Sequence, residues 1–314
     1  MRARIYNLAR SALSQDDRNR LKRRVAHTRK QLSPLYRAYY GSFDAHDLRD
    51  ELTRRLPSDI EILMVHCSVN DLAPMYTGNA SQLLDVLIEL CGSTRTLAMP
   101  AFFFGGADGD AAAHYRKKPV FDARRAPSQM GLLSELFRRR AGVTRSLHPT
   151  HSVCAWGPRA EELVRTHHLA GTTFGAGTPF SVMGSSHTAI IGLGTDYFRC
   201  LTQVHAAEDL LADRYPLVVR SNRLPVEIKD CDGNVHDYAL PLAEPGLVRR
   251  MERLERMLGP NELVRWRFHG VPLFVTSAAR VTEALTDAAL RGETIYEAHG
   301  TSPISSSTPI AVAG

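Results

Sequence analysis

Short apolar runs of strand length alternate with helix-length stretches through most of this chain, and one pair of runs is joined by a hairpin signal. Residues 61–67 (EILMVHC) and 188–193 are apolar enough to be strands buried on both faces. Residues 80–90 carry Leu83, Leu84, Leu87 and Leu90 at helical spacing behind Asn79, a good N-cap. Residues 96–104 (TLAMPAFFF) read as a second strand, with the proline at an end or edge. Residues 105–119, rich in Gly, Ala and Asp, read as a long mobile loop facing substrate. Ser128 caps a helix over 129–140 whose last turn is basic, as the macrodipole favours. A strand over 152–157, a helix over 158–168 opened by proline, and a helix over 203–213 follow. Residues 225–229 and 235–240 meet across Asp232-Gly233 as a hairpin. Residues 245–258 form an amphipathic helix with Leu247, Met251, Leu254 and Leu258 on one face, before a strand over 271–276 and a closing helix over 277–291. This pattern predicts an α/β fold: a single domain with a central mixed sheet flanked by helices, because the hairpin forces an antiparallel pair.

Composition bounds the rest. The 314 residues, 44% hydrophobic and 23% charged, can build one large core. Residues 1–40 hold eleven Lys/Arg against two Asp, so the formal charge of +6 sits in a basic arm. We therefore divide the chain into a basic, helical extension (1–44), a catalytic domain (45–298) and a disordered Ser/Pro/Ala tail (299–314). The arm carries no aromatic-interleaved nucleic-acid motif, so no nucleic-acid partner is expected; a solvated helix face or subunit contact fits it as well. Five scattered cysteines without a C-x-x-C pair read as reduced thiols. No apolar run reaches membrane-spanning length, and cytoplasmic placement is expected.

Several familiar chemistries fail on spacing. Ile190-Ile-Gly-Leu-Gly194 follows a strand, but the third glycine of a dinucleotide loop is Tyr197. The thirteen histidines include no H-E-x-x-H and no spaced third ligand, so no metal is expected. No G-x-S-x-G elbow supports a serine hydrolase. Two other segments do concentrate chemistry. Arg145-Ser-Leu-His-Pro-Thr-His-Ser152 places two imidazoles beside hydroxyls on a loop entering a strand, a setting for acid–base or acyl-transfer work. His205-Ala-Ala-Glu208 puts an acid at i+3 on a helix, where it can hold the imidazole in one tautomer.

Val65-His-Cys-Ser68, Thr96-Leu-Ala-Met-Pro100, the stretch Phe121–Gly131 (FDARRAPSQMG), the HPTHS segment, Trp156-Gly-Pro-Arg-Ala-Glu-Glu-Leu163, Phe174-Gly-Ala-Gly-Thr-Pro-Phe180 and Thr202-Gln-Val-His-Ala-Ala-Glu208 fall in one order. That order and spacing resemble the aminoglycoside 3-N-acetyltransferase family, which is unrelated to the GNAT fold. The resemblance covers roughly residues 45–295.

The resemblance implies an enzyme with that family's α/β fold, moving an acetyl group from acetyl-CoA to an amine of an aminoglycoside or related amino sugar. By it, His205 is the general base and Glu208 its orienting neighbour. Ser68, Arg145, Ser146, His148, Ser152, Phe174, Gly175 and Thr178 would face the cofactor, and Asp108, Asp110, Asp237 and His151 the acceptor. His148 and His151 stay rival bases, and one of them can instead pin the loop through backbone hydrogen bonds. Cys67 raises acyl transfer through a thiolate, although relatives often carry serine there, and direct transfer is favoured. The partners implied are an acyl-CoA and a small-molecule amine, and a homodimer is compatible with them. Antibiotic-modifying relatives tend to carry acids after the hairpin and in the long loop; here Asp237, Asp108 and Asp110 are what those places offer. Two alternatives follow: an acyl-CoA N-acyltransferase on a nucleotide- or polysaccharide-linked amino sugar, and an inactive relative that binds partners through the basic arm.

Overall fold

The computed structural model describes residues 31–106 and 109–298, with isolated positions 17, 20, 21, 24 and 28. Most of the basic arm, the whole 299–314 tail and Asp108 lie outside the described residues. In chain order the strands are β1 (Ile62–Cys67), β2 (Thr96–Pro100), β3 (Val120–Asp122), β4 (Thr144–Arg145), β5 (Val153–Trp156) and β6 (Thr188–Leu193). Then come β7 (Arg220–Lys229), β8 (Val235–Ala243), β9 (Leu247–Arg249), β10 (Leu263–Phe268), β11 (Val271–Ser277) and β12 (Tyr296–Ala298).

The central sheet is ordered β10-β11-β6-β1-β2-β5-β4. Only its middle is parallel: β1 pairs with β2 and β6 in the same direction, and β5, β4, β11 and β10 add antiparallel strands outward. β1 shows why this middle is stable. Its side chains alternate between two cores, with Ile62 and Met64 on one face and Leu63 and Val65 on the other. The helix Ala80–Cys91 covers the second face with Leu83, Leu84 and Leu87, and each buried leucine contributes roughly 1.5–3 kcal/mol. Asn79 and Gln82 close a capping box at its start. The helix Ala278–Leu290 covers the first face with Val281, Leu285 and Ala289.

The hairpin β7–β8 turns at Asp232-Gly233 and pairs with β3 as a separate three-stranded sheet. Val226, Ile228, Tyr238 and Leu240 pack there against Tyr115 and Phe121. Gly192 is explained by packing rather than by a nucleotide, because a Cβ there would sit 2.0 Å from the Phe274 ring.

Four expectations need correction. The stretch 105–119 is not all loop: Asp110 caps a helix over Ala111–Lys117, whose Tyr115 is buried in the hairpin core. The helix expected from 129 begins at Leu132 with Gly131 as N-cap, because the Ser128 backbone is already taken by Glu135. The segment read as a helix over 245–258 splits into β9, a 3-10 turn and the short helix Leu254–Met257, since β9 finds β12 as an antiparallel partner. The helix read over 203–213 is interrupted, with a 3-10 turn Thr202–His205 leading into Ala206–Leu211. These last two changes bring Arg249 and Tyr296 to His205.

Candidate active site

The carboxyl ends of the parallel strands β1, β2 and β6 open into a cleft of about 420 Å³, where α/β sheets usually bind ligands. His66 from β1 and Phe102 and Phe104 beyond β2 line it, as do Tyr197–Thr202 after β6. Met130, His151, Arg249 and Met251 complete the walls around His205.

His205 sits where the 3-10 turn becomes the helix Ala206–Leu211, so Glu208 lies one turn on and on the same side. Its Nδ1 is 2.7 Å from Glu208 Oε1, and its Nε2 is 2.7 Å from the Arg249 guanidinium. An ionised carboxylate only accepts and a guanidinium only donates, so the neutral ring carries its proton on Nδ1 and its lone pair on Nε2. Burial lowers the His205 pKa, and the Glu208 carboxylate opposes it only in part. His205 is therefore neutral at pH 7 with a defined tautomer, the state a general base needs.

Glu208 is buried, and burial alone would raise its pKa; His205 and Arg220 outweigh that, leaving it lowered and ionised. Its Oε1 also accepts from the Tyr296 hydroxyl at 2.6 Å, and its Oε2 from Arg220 at 2.8 Å. Arg220 reaches Asp209 at 2.6 Å with its other nitrogen, and Asp209 accepts the Phe174 backbone N–H at 2.8 Å. The Phe174 ring stacks on His205, centroids 5.0 Å apart, and the Arg220 guanidinium lies over the Phe174 ring, 5.0 Å from its centroid. The imidazole is thus held in-plane by a carboxylate and face-on by an aromatic ring. Gly175 is needed because a Cβ would meet Thr172 Oγ1 at 2.6 Å and the Asp209 carbonyl at 3.1 Å.

The HPTHS loop plays another part. Arg145 donates to Ser152 Oγ and to the carbonyls of Ala101, Ala123 and Ala126, which leaves its fork no face for a phosphate. The Ser152 hydroxyl in turn donates to the Ala101 carbonyl. Ser146 accepts from the Val153 N–H and donates to His167 Nδ1, whose Nε2 meets the Thr173 carbonyl. His148 Nδ1 accepts the backbone N–H groups of Thr150 and His151, so His148 is the histidine that pins the loop. Its ring is fully buried against His167 and Tyr238, and burial drives its pKa well down. Thr178 bonds the Gly175 carbonyl and caps the helix Pro179–Gly184. Arg145, Ser146, Ser152 and Thr178 therefore act as framework, because the hydrogen bonds described for them go to the chain itself; His148 does so through Nδ1, while its buried Nε2 meets no partner among the described residues. Phe174 and Gly175 stand behind His205 rather than along the cleft.

The remaining expected positions scatter. Ser68, just past β1, donates to Asp71 at 2.7 Å, and Asp71 pairs with the cleft residue Arg199 at 3.5 Å. Of the described acceptor candidates, only His151 lines the cleft; burial lowers its pKa and its Nδ1 meets the Thr150 hydroxyl rather than a carboxylate, so it lacks the orienting partner that His205 has. Asp110 is an exposed helix cap, and Asp237 is exposed on β8 opposite Glu227. Cys67 is no thiolate: burial pushes its pKa far up, and Asp71 adds to this. Sequence reasoning missed Arg220, Arg249, Asp209 and Tyr296. Asp209 adjoins Glu208, a cue that was there; Tyr296 lies 88 residues from Glu208 and gave none.

Among the described residues no helix is long and apolar enough to cross a membrane, and no group of three metal-ligating side chains occurs. The chain is similar to the aminoglycoside N(3)-acetyltransferase III of a Salmonella species, 33% identical over 129 residues, or 38% of this chain and 44% of that one. It thus spans less than half the length of that relative. An aminoglycoside N(3)-acetyltransferase IX of Micromonospora chalcea is 24% identical over 62% of this chain and 74% of its own. Among solved structures, AAC(3)-Xa superposes with a TM-score of 0.66 at 19% identity, covering 84% of this chain and 99% of that one. AAC-IIIb, solved as a binary complex with CoASH, gives 0.64 at 19% identity over 80% and 98%. The family model for aminoglycoside 3-N-acetyltransferases matches residues 64–288, well over half of the sequence, and the chain belongs to that family.

Proposed function

We propose that this chain transfers an acetyl group from acetyl-CoA to the amine of an amino sugar, with His205 as general base. The observation that carries this reading is the set of partners that fixes the His205 tautomer, Glu208 at Nδ1 and Arg249 at Nε2, which puts the Nε2 lone pair at the wall of the cleft. Family membership supports the reaction class, and the CoASH complex of AAC-IIIb supports the donor. The cleft fits such a donor in kind: apolar walls from Phe102, Phe104, Met130 and Met251 suit a pantetheine arm, and Arg199 suits an anionic end.

The donor brings an activated carbonyl; the remaining tasks fall to the protein. An amine is largely protonated at pH 7, so only its minor neutral form attacks, and it must shed a proton as the N–C bond forms. His205 Nε2 takes that proton while Glu208 stays ionised against Nδ1–H and stabilises the imidazolium. As the C–S bond breaks, the proton can pass from His205 to the departing thiolate, which balances the transfer. A covalent route through Cys67 is disfavoured by its raised pKa. The cytoplasmic setting and a dimeric state remain part of this proposal.

Titration calorimetry with acetyl-CoA, followed by thiol-release assays on aminoglycosides of the gentamicin type and on amino sugars, tests the function. Donor binding with acceptor-dependent CoA release is expected; no acetyl-CoA binding removes the acyltransferase reading and leaves a binding protein.

A further inference from the structure

The lone pair that should accept the proton is already engaged. Arg249 reaches from β9 and donates to His205 Nε2 at 2.7 Å. Its neighbours Arg250 and Arg253 are held by Glu297. Among the described residues, Arg249 meets no carboxylate and ends on the imidazole, although its side chain is exposed. An amine cannot approach Nε2 until this guanidinium leaves.

The charge around the cleft says what could move it. The described lining residues include Arg199 and Arg249 but no Asp or Glu. Of the acids behind the wall, Glu208 and Asp209 are engaged by His205, Tyr296, Arg220 and the Phe174 N–H, and Asp71 by Ser68 and Arg199. Asp110 caps its helix and Asp237 lies on β8, and neither is among the described lining residues. Among the described lining residues a polycation would meet two guanidinium groups and no carboxylate, and would leave Arg249 on the base. An oxyanion would do the opposite, since phosphate offers several acceptor oxygens and a guanidinium prefers it to a neutral imidazole.

We propose that Arg249 gates the base and selects the acceptor: an amino sugar with a phosphoryl group beside its amine, which draws Arg249 off His205 as it binds. This deepens the acetyltransferase reading and rests on it. The amine must lie one hydrogen bond from Nε2 and a phosphoryl oxygen one hydrogen bond from the displaced guanidinium, so the acceptor must carry the two groups close together. Amine and phosphoryl group on adjacent sugar carbons satisfy that spacing, whether as a free sugar phosphate or as a nucleoside-diphosphate sugar. Arg249 is in this account a specificity-determining residue, and the phosphate is a property of the acceptor, not of the donor.

The test compares glucosamine, glucosamine 1-phosphate, UDP-glucosamine and gentamicin as acceptors for wild type and Arg249→Ala. In wild type, kcat/KM for the better phosphorylated acceptor should exceed that for glucosamine by at least about tenfold, which is about 1.4 kcal/mol. The more active of glucosamine 1-phosphate and UDP-glucosamine identifies the source of the phosphoryl group. In Arg249→Ala the preference should collapse, through loss on the phosphorylated acceptor and gain on glucosamine, while KM for acetyl-CoA stays put. Equal or greater use of gentamicin, a preference that survives Arg249→Ala, or a rise in KM for acetyl-CoA instead each overturns the proposal; the last would assign Arg249 to the donor's phosphates. If acetyl-CoA binds but no acceptor turns over, 15N NMR of His205 decides. Glucosamine 1-phosphate should shift the Nε2 resonance in wild type and not in Arg249→Ala, and an unmoved resonance in wild type refutes the gate. Failure of acetyl-CoA to bind at all would instead strike the acetyltransferase reading.

Discussion

Glu208→Gln probes the dyad most sharply, because the carboxylate serves three donors at once. Its Oε1 accepts from His205 Nδ1 at 2.7 Å and Tyr296 at 2.6 Å, and its Oε2 from Arg220 at 2.8 Å. A glutamine keeps the shape but owns only one accepting atom. If its NH2 faces Arg220, two donors confront each other and a buried cation loses half its partners. If its NH2 faces His205, the ring must present a bare Nδ1 and carry its proton on Nε2, the atom that should act as base. Removing one member of a buried ion pair costs about 3–5 kcal/mol, and the retained Arg220–Asp209 bond keeps this variant at the low end. Loss of general-base catalysis is worth about 10²–10⁴ in rate. We expect kcat to fall within that range and the Tm to drop by several degrees. Tyr296→Phe is the control: it removes one donor from Oε1 but leaves the His205 tautomer, so its kcat should fall far less. Steady-state thiol release and thermal denaturation measure both. A Glu208→Gln enzyme with wild-type kcat would refute the orienting role.

Four further outcomes follow from the same geometry. Because burial lowers the folded-state pKa of His205, the base stays deprotonated below the ordinary 6.5, and the acid limb of kcat should lie under that value. The buried His66, His148, His151 and His167 are likewise depressed, His66 to about 4 and His167 to about 3, so the unfolded chain binds more protons below pH 6.5. Stability should therefore fall as pH drops from 6.5 towards 4, by about 1.4 kcal/mol per pH unit for each such histidine, as pH-dependent denaturation will read out. Arg145→Lys strands carbonyls of Ala101, Ala123 or Ala126 at about 1–3 kcal/mol each, and should lower the unfolding midpoint without a selective loss of acetyl-CoA affinity. Gly175→Ala pushes against Thr172 and the Asp209 carbonyl, which costs about 1–3 kcal/mol and should lower kcat by disturbing Phe174 under His205.

Local patterning carried the fold well where partners are close in sequence. Thr188–Leu193, the helix behind Asn79 and the hairpin at Asp232-Gly233 formed as their side-chain periods and turn residues require. It failed at residues 245–258, where helical spacing lost to an edge pairing between β9 and β12, whose partner residue lies some fifty positions away. The site divides the same way. The His205–Glu208 pair was legible because it spans one helical turn. The HPTHS loop was legible as a concentration of polar groups, yet their use was not: Arg145, Ser146, His148 and Ser152 satisfy a buried backbone that no sequence pattern displays. Arg220, Arg249 and Tyr296 converge on the dyad from separate strands, and only the tertiary fold brings them there.

In the mechanism proposed for this site, His205 moves the proton and does not hold the donor. His205→Gln measured by kcat and by acetyl-CoA calorimetry on one preparation tests it directly. A loss of about 10²–10⁴ in kcat is expected, with donor affinity preserved. Unchanged kcat, or loss of acetyl-CoA binding in step with activity, would contradict it.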